Sequence, residues 1–389
     1  MGGRIMASTI NSSTSNGIVI TPDTSGEIEL QANGVTKAKV TANGLQDANG
    51  NSLRGGMYRN LIINGDMNIA QRGTSASGIT STGYRTVDRF VNEMSGLGTW
   101  TITQDTDVPT GQGFSNSMKL DCTSANASPA ASEYQLFAQR IEGQMLQHLK
   151  KGTANAESLT LSFWVKSNKT GTYIAELFDG DNTRQISKSY TINSSDTWEK
   201  KTLTFAGDTT GTLNNDNGSS LTLSLWIGAG STFTSGTLNT SWGANVNANR
   251  VVGQVNLADS TSNYINITGV QLEVGEGASD FEFLPYDAQL QRCQRYYEVI
   301  VPNDAVALLA DTYSTGGSPV PNMNVFYKVT KRAYPTITTT GTFYTSNTAG
   351  SQVYSIGTQN FNAYYAPAGS GRSYWHNNAN SGFLISAEL

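Results

Sequence analysis

Charge, cysteine and histidine are all scarce in this sequence. Only 14% of its 389 residues are charged, and it has two cysteines and two histidines. Low charge combined with abundant Gly, Ser, Thr and Asn excludes a highly charged disordered chain. The formal net charge of -5 argues against nucleic acid as a partner, because a phosphate-binding surface needs clustered Lys and Arg, and Lys150-Lys151 is too small a cluster to supply one. Neither Cys122 nor Cys293 has a second Cys or His at metal-ligand spacing, so neither a structural zinc nor a disulfide-rich scaffold is expected. No apolar run exceeds the length of a strand, which excludes a transmembrane helix, and no membrane insertion is expected. The opening Met1-Gly2-Gly3-Arg4-Ile5 runs straight into polar sequence without the apolar stretch of a signal peptide. The expectation is synthesis in a cytoplasm and release by a route other than secretion, such as lysis. No cofactor is expected.

What the chain has in quantity is turn formers and short alternating runs. Forty glycines supply turn positions, against nine prolines. At roughly 100–200 residues per domain, the length suggests two to four domains. Residues 1–57 contain three strand-like pieces, at 17–20, 27–31 and 35–40, separated by turn pairs such as Asn33-Gly34. These strands are too thin to bury a core alone, so they are expected to pair with copies of themselves in a trimeric stalk, with a flexible tail as the alternative.

Residues 58–285 read as one β-sandwich. Leu159, Leu161, Phe163 and Val165 alternate along one run, and Leu221, Leu223, Leu225 and Ile227 along another. Period-two alternation is what a half-buried antiparallel strand needs. Further strands are expected at 134–141, 172–178, 186–192, 198–205 and 264–274, with a bulge at Gly269 where the apolar phase shifts. Residues 143–152 read as a helical turn or two closed by Gly152. Residues 286–298 read as a short helical connector with Leu290, Cys293, Tyr296 and Tyr297 on one face. Residues 299–389 read as a smaller C-terminal β domain with strands at 305–311, 323–329, 336–344 and 383–387. The fold class is all-β.

Asn60-Leu61-Ile62-Ile63-Asn64-Gly65-Asp66-Met67 resembles the opening strand of jelly-roll carbohydrate-binding modules. The order of later strands, at 161–167, 198–205 and 267–273, is similar to theirs too. Three segments resemble phage tail-fibre proteins of the marine-phage type: Gln139-Arg140-Ile141-Glu142-Gly143, Phe163-Trp164-Val165-Lys166-Ser167, and Phe283-Leu284-Pro285-Tyr286 with Arg292-Cys293-Gln294-Arg295-Tyr296-Tyr297. The likeness spans residues 58–298. It implies a jelly-roll-like sandwich within a trimeric tail fibre located in the virion. The N-terminal region would be held by another tail protein, and the C-terminal unit would be the candidate tip for host surface glycan. Modules of this type often carry an Asp in the last strand that helps hold a calcium ion. Asp66 matches the first half of such a site, but Asn266-Ile267-Thr268-Gly269 offers no carboxylate, and no metal is expected.

Sugar recognition needs flat aromatic faces beside hydrogen-bonding side chains. Trp164 and Trp226 point away from the core face of their strands, where they either meet sugar or fill subunit interfaces. Trp242 lies in a polar stretch, and the run 371–380 has the composition of an exposed recognition loop. The candidate carbohydrate-binding residues are therefore Trp164, Trp226, Trp242, Tyr374, Trp375, His376 and Asn377. Asp179-Gly180-Asp181-Asn182 reads as a turn rather than a calcium loop. Catalysis finds little support, since His148 and His376 leave few ways to build a nucleophile triad. Only a carboxylate pair such as Glu176 and Asp179 stays open for a glycan depolymerase. A non-catalytic adhesin is the first expectation, ahead of a purely structural tail component and of that enzyme.

Overall fold

A computed structural model describes residues 28–32, 35–41, 44–47, 58–300, 309–314, 322–346, 348–368, 371–376 and 381–389. Of the N-terminal strand pieces, 17–20 lies outside the described residues. The other two are β1 (Ile28–Ala32) and β2 (Val35–Thr41), and β3 (Gly44–Asp47) completes an antiparallel meander. Register puts Ile28, Val40 and Leu45 in one row and Leu30 beside Ala38 in the next, giving one apolar face. Glu29 pairs with Lys39 (3.1 Å) on the other face. Leu30, Val40 and Leu45 are all exposed.

The central unit is built from β4 (Ser75–Tyr84), β5 (Val91–Asp105), β6 (Ser117–Ser124), β7 (Tyr134–Glu142), β8 (Leu159–Ser167), β9 (Gly171–Asp179), β10 (Arg184–Ile192), β11 (Glu199–Phe205), β12 (Ser219–Ala229), β13 (Gly243–Ala244) and β14 (Tyr264–Val274). All are hydrogen-bonded into one sheet, in the order β11-β8-β14-β6-β5-β7-β12-β9-β10-β13, with β4 beside β5. This sheet closes on itself as a sandwich. The first half of β5 pairs with β7 and the second half with β6. Between the halves Gly96 and Gly98 take left-handed φ of 67° and 75°, and a Cβ on Gly98 would lie 2.7 Å from the Ser124 carbonyl. The apolar residues of both layers meet in one core. Leu161, Phe163 and Ile267 come from one layer and Leu177, Ile186 and Leu223 from the other, and the rings of Phe163 and Tyr190 meet edge to face at 5.0 Å.

Apart from the stretch 60–67, every strand expected in the central unit falls on a strand of this sheet. β4, β5 and β6 were not foreseen; glycine and hydroxyl residues break the alternation of β4 and of the middle of β5, while β6 carries a clean alternation of Met118, Leu120 and Cys122. Gly269 is a bulge with φ +63°, as expected. The 143–152 segment is two 3₁₀ turns, and Lys150 rather than Gly152 takes the left-handed position next to the second. Asp179–Asn182 is a turn, with the Asn182 amide donating to the Asp179 carboxylate at 3.0 Å.

The stretch 60–67 corrects its expectation, since it is a buried turn and no strand. Side-chain amides satisfy its backbone in place of a ladder. The Gln139 amide grips both Ile63 N–H (2.7 Å) and Ile63 carbonyl (2.8 Å). Asn60 accepts from Ile62 and Leu272 N–H, and Asn64 accepts from Ile69 N–H. A Cβ on Gly65 would lie 2.0 Å from the Val270 carbonyl, so only glycine lets this turn seat against β14.

Helix α2 (Tyr286–Gln294) ends sooner than expected. Cys293 and Tyr296 pack into a small core with Ile63, Ile69 and Leu290, while Tyr297 opens the next strand and lies under Arg72, 3.5 Å away. Glu142 accepts from Arg295 at 2.8 and 2.7 Å and from the Tyr296 hydroxyl at 2.5 Å. Arg89 is sandwiched between the Tyr296 ring (3.4 Å) and Glu388. Gln139–Gly143 and Arg292–Tyr297, two of the segments that carry the resemblance, are thus facing sides of one joint.

Among its described residues the C-terminal unit holds three small sheets. They are formed by β15 (Tyr297–Ile300), β23 (Gly382–Ser386) and β18 (Thr336–Thr340); by β16 (Leu309–Ser314), β22 (Gly371–His376) and β19 (Tyr344–Ser346); and by β17 (Asn322–Phe326), β21 (Asn360–Pro367) and β20 (Thr348–Tyr354). Val325, Phe361, Phe383 and Ile385 centre its core. The strand expected at 336–344 is split at Gly341, whose φ is +67°.

At the joint, burial pushes the Asp88 carboxyl up from its ordinary 3.8 to about 6, against the opposing pull of Gln71 and Arg72. Between about pH 4 and about pH 6 the folded chain holds a proton that the unfolded chain has lost, so stability falls as pH rises through that window. The expected loss is roughly 2–3 kcal/mol. Urea midpoints across this range should show the slope, and Asp88→Asn should remove it. An unchanged slope in the variant would contradict the assignment.

Candidate functional site: an aromatic groove on the outer face of the sandwich

β8 turns Leu161, Phe163 and Val165 into the core, so Ser162, Trp164 and Lys166 stand on the outer face of the β11-β8-β14-β6 layer. Trp164 lies in register between Lys200 of β11 and Thr268 of β14. The Gly269 bulge adjoins it. A Cβ there would lie 2.6 Å from the Phe114 ring and 3.2 Å from Trp164 Cδ1, so the missing side chain is what lets these rings meet over the sheet. Phe281 and Phe283, from the segment after β14, complete the wall. Centroid distances are 5.1 Å for Phe114–Phe281, 5.2 Å for Phe114–Phe283 and 4.9 Å for Phe281–Phe283. The result is a groove of about 310 Å³, with Gln112, Ser162, Lys200 and Asp280 among its polar lining. Trp164 is half-buried and Phe283 is 49% exposed, so ring surface faces solvent. Four aromatic rings interleaved with four polar side chains give an open groove that offers both ring faces and hydrogen-bonding groups to a ligand.

Trp198 lies one row along on the same layer. Its indole N–H donates to Asp107 at 2.9 Å, and Lys166 pairs with the same carboxylate. Burial pushes Asp107 up, but Lys166 and Trp198 outweigh it and hold the carboxyl below its usual range.

Of the expected residues whose side chains the structure describes, Trp164 alone lines this groove. Trp226 points outward as foreseen but is fully buried, which corrects its assignment to sugar. The chain between β12 and β14 folds back over it, including the short helix α1 (Ser231–Thr234). Phe233 and Tyr134 lie 5.6 and 5.9 Å from its ring, and the Arg250 guanidinium is 4.9 Å away. Its indole donates to Glu176 at 3.1 Å, and Arg250 grips the same carboxylate twice at 2.8 Å. Asp179 faces the other side of β9, in the ion cluster around Lys151. Glu176 and Asp179 therefore cannot flank one glycosidic bond.

Trp242 roofs that ion cluster. Its indole donates to the Ala206 carbonyl at 2.7 Å, and its ring lies 4.6 Å from the Lys151 ammonium. Lys151 is buried between Asp179 and Asp208, and Arg184 donates to Asp208 at 2.7 and 2.9 Å. Burial pushes Asp208 up, but these two cations outweigh it and hold the carboxyl at about 2.

The expected loop at 371–380 begins as strand β22, which corrects its reading as a loop. The backbones of Trp375 and His376 pair with Ala310 and Leu309 on one side and with Thr345 and Tyr344 on the other. Tyr374 is half-buried, with the Arg372 guanidinium 5.7 Å from its ring, and Asn377 lies outside the described residues. Asp66 gives one oxygen to Gln289 of α2 (2.6 Å) and the other to Asn68 (2.6 Å).

Sequence reasoning missed Phe114, Phe281, Lys200 and Asp280 as one site. The only local signal was the alternation in Phe281-Glu282-Phe283 and the bulge at Gly269. What joins them is long-range.

No protein-family model and no curated protein sequence matches the chain. Among solved structures it is similar to the enzymatically active domain of tailspike protein 4 from bacteriophage CBA120, at 16% identity and a TM-score of 0.29, covering 56% of this chain and 22% of that one. TmCBM61 in complex with β-1,4-galactotriose is similar at 10% identity and 0.29, covering 56% and 99%. The family 11 carbohydrate-binding module from Clostridium thermocellum, in complex with a β-1,3-1,4-mixed-linked tetrasaccharide, is similar at 9% and 0.24, covering 54% and 91%. The chain thus spans about a fifth of the tailspike domain and nearly all of the two modules.

The groove's dependence on glycine is testable. Gly269→Ala should cost about 1–2 kcal/mol for its left-handed φ alone, with further loss from the Phe114 contact. A thermal midpoint equal to the parent's would contradict this account of the bulge.

Proposed function

We propose that this chain is a non-catalytic adhesin subunit of a phage tail fibre that holds a host surface polysaccharide in the groove at Trp164. The groove itself carries the reading. Trp164, Phe281 and Phe283 offer ring faces to sugar C–H groups, while Gln112, Ser162 and Asp280 offer donors and acceptors to hydroxyls. Such sites bind weakly one at a time, and a multimer multiplies them into firm attachment. The apolar face of the N-terminal meander supports a trimer. Leu30, Val40 and Leu45 share that face, uncovered by any described residue, and three copies could bury it. Residues 1–57 would then join the subunit to another tail protein.

The purely structural reading has one observation in its favour. Phe283 and Tyr286 are 49% and 64% exposed, and aromatic residues of this kind also fill subunit interfaces.

The test is retention of full-length protein on immobilised polysaccharides, with the polysaccharide sized afterwards and the protein's mass measured by sedimentation. The expected outcome is binding at unchanged chain length, lost in Trp164→Ala, by a particle of three 41.6 kDa chains. Binding untouched by Trp164→Ala would remove the groove from the account, shortened polysaccharide would make the protein an enzyme, and a single-chain mass would remove the trimer.

A further inference from the structure

Taking the groove at Trp164 as the glycan site, we infer that it selects acidic saccharides, with Lys200 pairing to the carboxylate of a uronic-acid unit. The case begins with what the neighbouring lysines do. On the same layer Lys119 pairs with Asp121 at 2.9 Å, Lys166 with Asp107, and Lys201 with Glu199 at 2.5 Å. Lys200 makes no hydrogen bond or ion pair among the described residues, although it lines the groove directly across the register from Trp164. Its ammonium has three donors and no acceptor, so it is satisfied best by an anionic oxygen.

Asp280 lines the same groove with its carboxylate likewise unpaired in the described structure. It accepts from hydroxyls, which every sugar supplies, and repels a second carboxylate. A unit with an acid on one edge and hydroxyls on the other therefore has one favoured orientation, with the acid toward Lys200 and the hydroxyls toward Asp280. Trp164 and Phe283 take the ring face in either case, so affinity for sugar as such rests on the aromatics and the choice of acid rests on Lys200.

The experiment uses the full chain and paired probes. These are alginate, polygalacturonate and hyaluronan, each beside its carboxyl-reduced form, with binding measured by calorimetry in the parent, Trp164→Ala and Lys200→Gln. Lys200 is exposed, so its replacement leaves the core untouched. The parent should bind at least one acidic member about tenfold tighter than the reduced form, as one charge-assisted hydrogen bond allows. Lys200→Gln should erase that difference while keeping the residual binding, and Trp164→Ala should lose both. Equal binding of the acidic and reduced forms, still sensitive to Trp164→Ala, would overturn the acid preference and leave the groove standing. An acid preference indifferent to both substitutions would overturn groove and preference together. Failure to bind any acidic member would overturn the preference outright.

Discussion

The architecture depends on one strand serving two layers. β5 is fifteen residues long, and its halves pair with different neighbours. A single hydrogen-bonded sheet can enclose a core only if some strand turns the corner, and Gly96 and Gly98 make that turn at φ values side-chain-bearing residues rarely adopt. Once the corner is fixed, each alternating strand has one face committed to the core. The opposite faces become two separate surfaces with different fates.

Those fates divide the two outward tryptophans. Trp164 and Trp226 occupy equivalent places in sequence, each on the polar phase of an alternating strand. Over Trp226 the chain returns between β12 and β14, and Arg250 and Phe233 close on it, with Glu176 satisfying its indole. That makes a second core in place of a surface. Over Trp164 the described residues bring only loop aromatics, and they stand beside it as a wall. The bulge at Gly269 makes room for them, so one missing Cβ shapes the groove.

This explains which parts were legible in the sequence. Alternation in β8 and β12 identified which residues point inward, because a period of two is a local property. It could not tell whether the outward residues would later be covered, since a period of two says nothing about whether the chain after β12 folds back over Trp226, as the stretch carrying Phe233 and Arg250 does. β4 and β5 escaped notice because glycines and hydroxyl residues interrupt their pattern, and in β5 Gly96 and Gly98 also turn the corner, whereas the short β6 was missed despite its Met118, Leu120, Cys122 alternation. Asn60–Met67 stood out as a motif but was taken for a strand. Its apolar run resembles one, while its amides Asn60 and Asn64, with the distant Gln139, satisfy the backbone that a ladder would otherwise serve. Of the segments that resembled tail fibres, Gln139–Gly143 and Arg292–Tyr297 meet at the buried Glu142–Arg295–Tyr296 contact in the joint, while Trp164 and Phe283 of the other runs line the groove.

The central claim is that glycan covers the ring faces at Trp164. Hydroxyl-radical footprinting of the full chain, read by mass spectrometry with and without a bound polysaccharide, tests it most directly. The account predicts that Trp164 and Phe283 oxidise in the free protein and are protected in the complex, while the buried Trp226 stays unreactive in both. Protection confined to Tyr374 and Trp375 of β22, with Trp164 oxidised equally in both states, would contradict it.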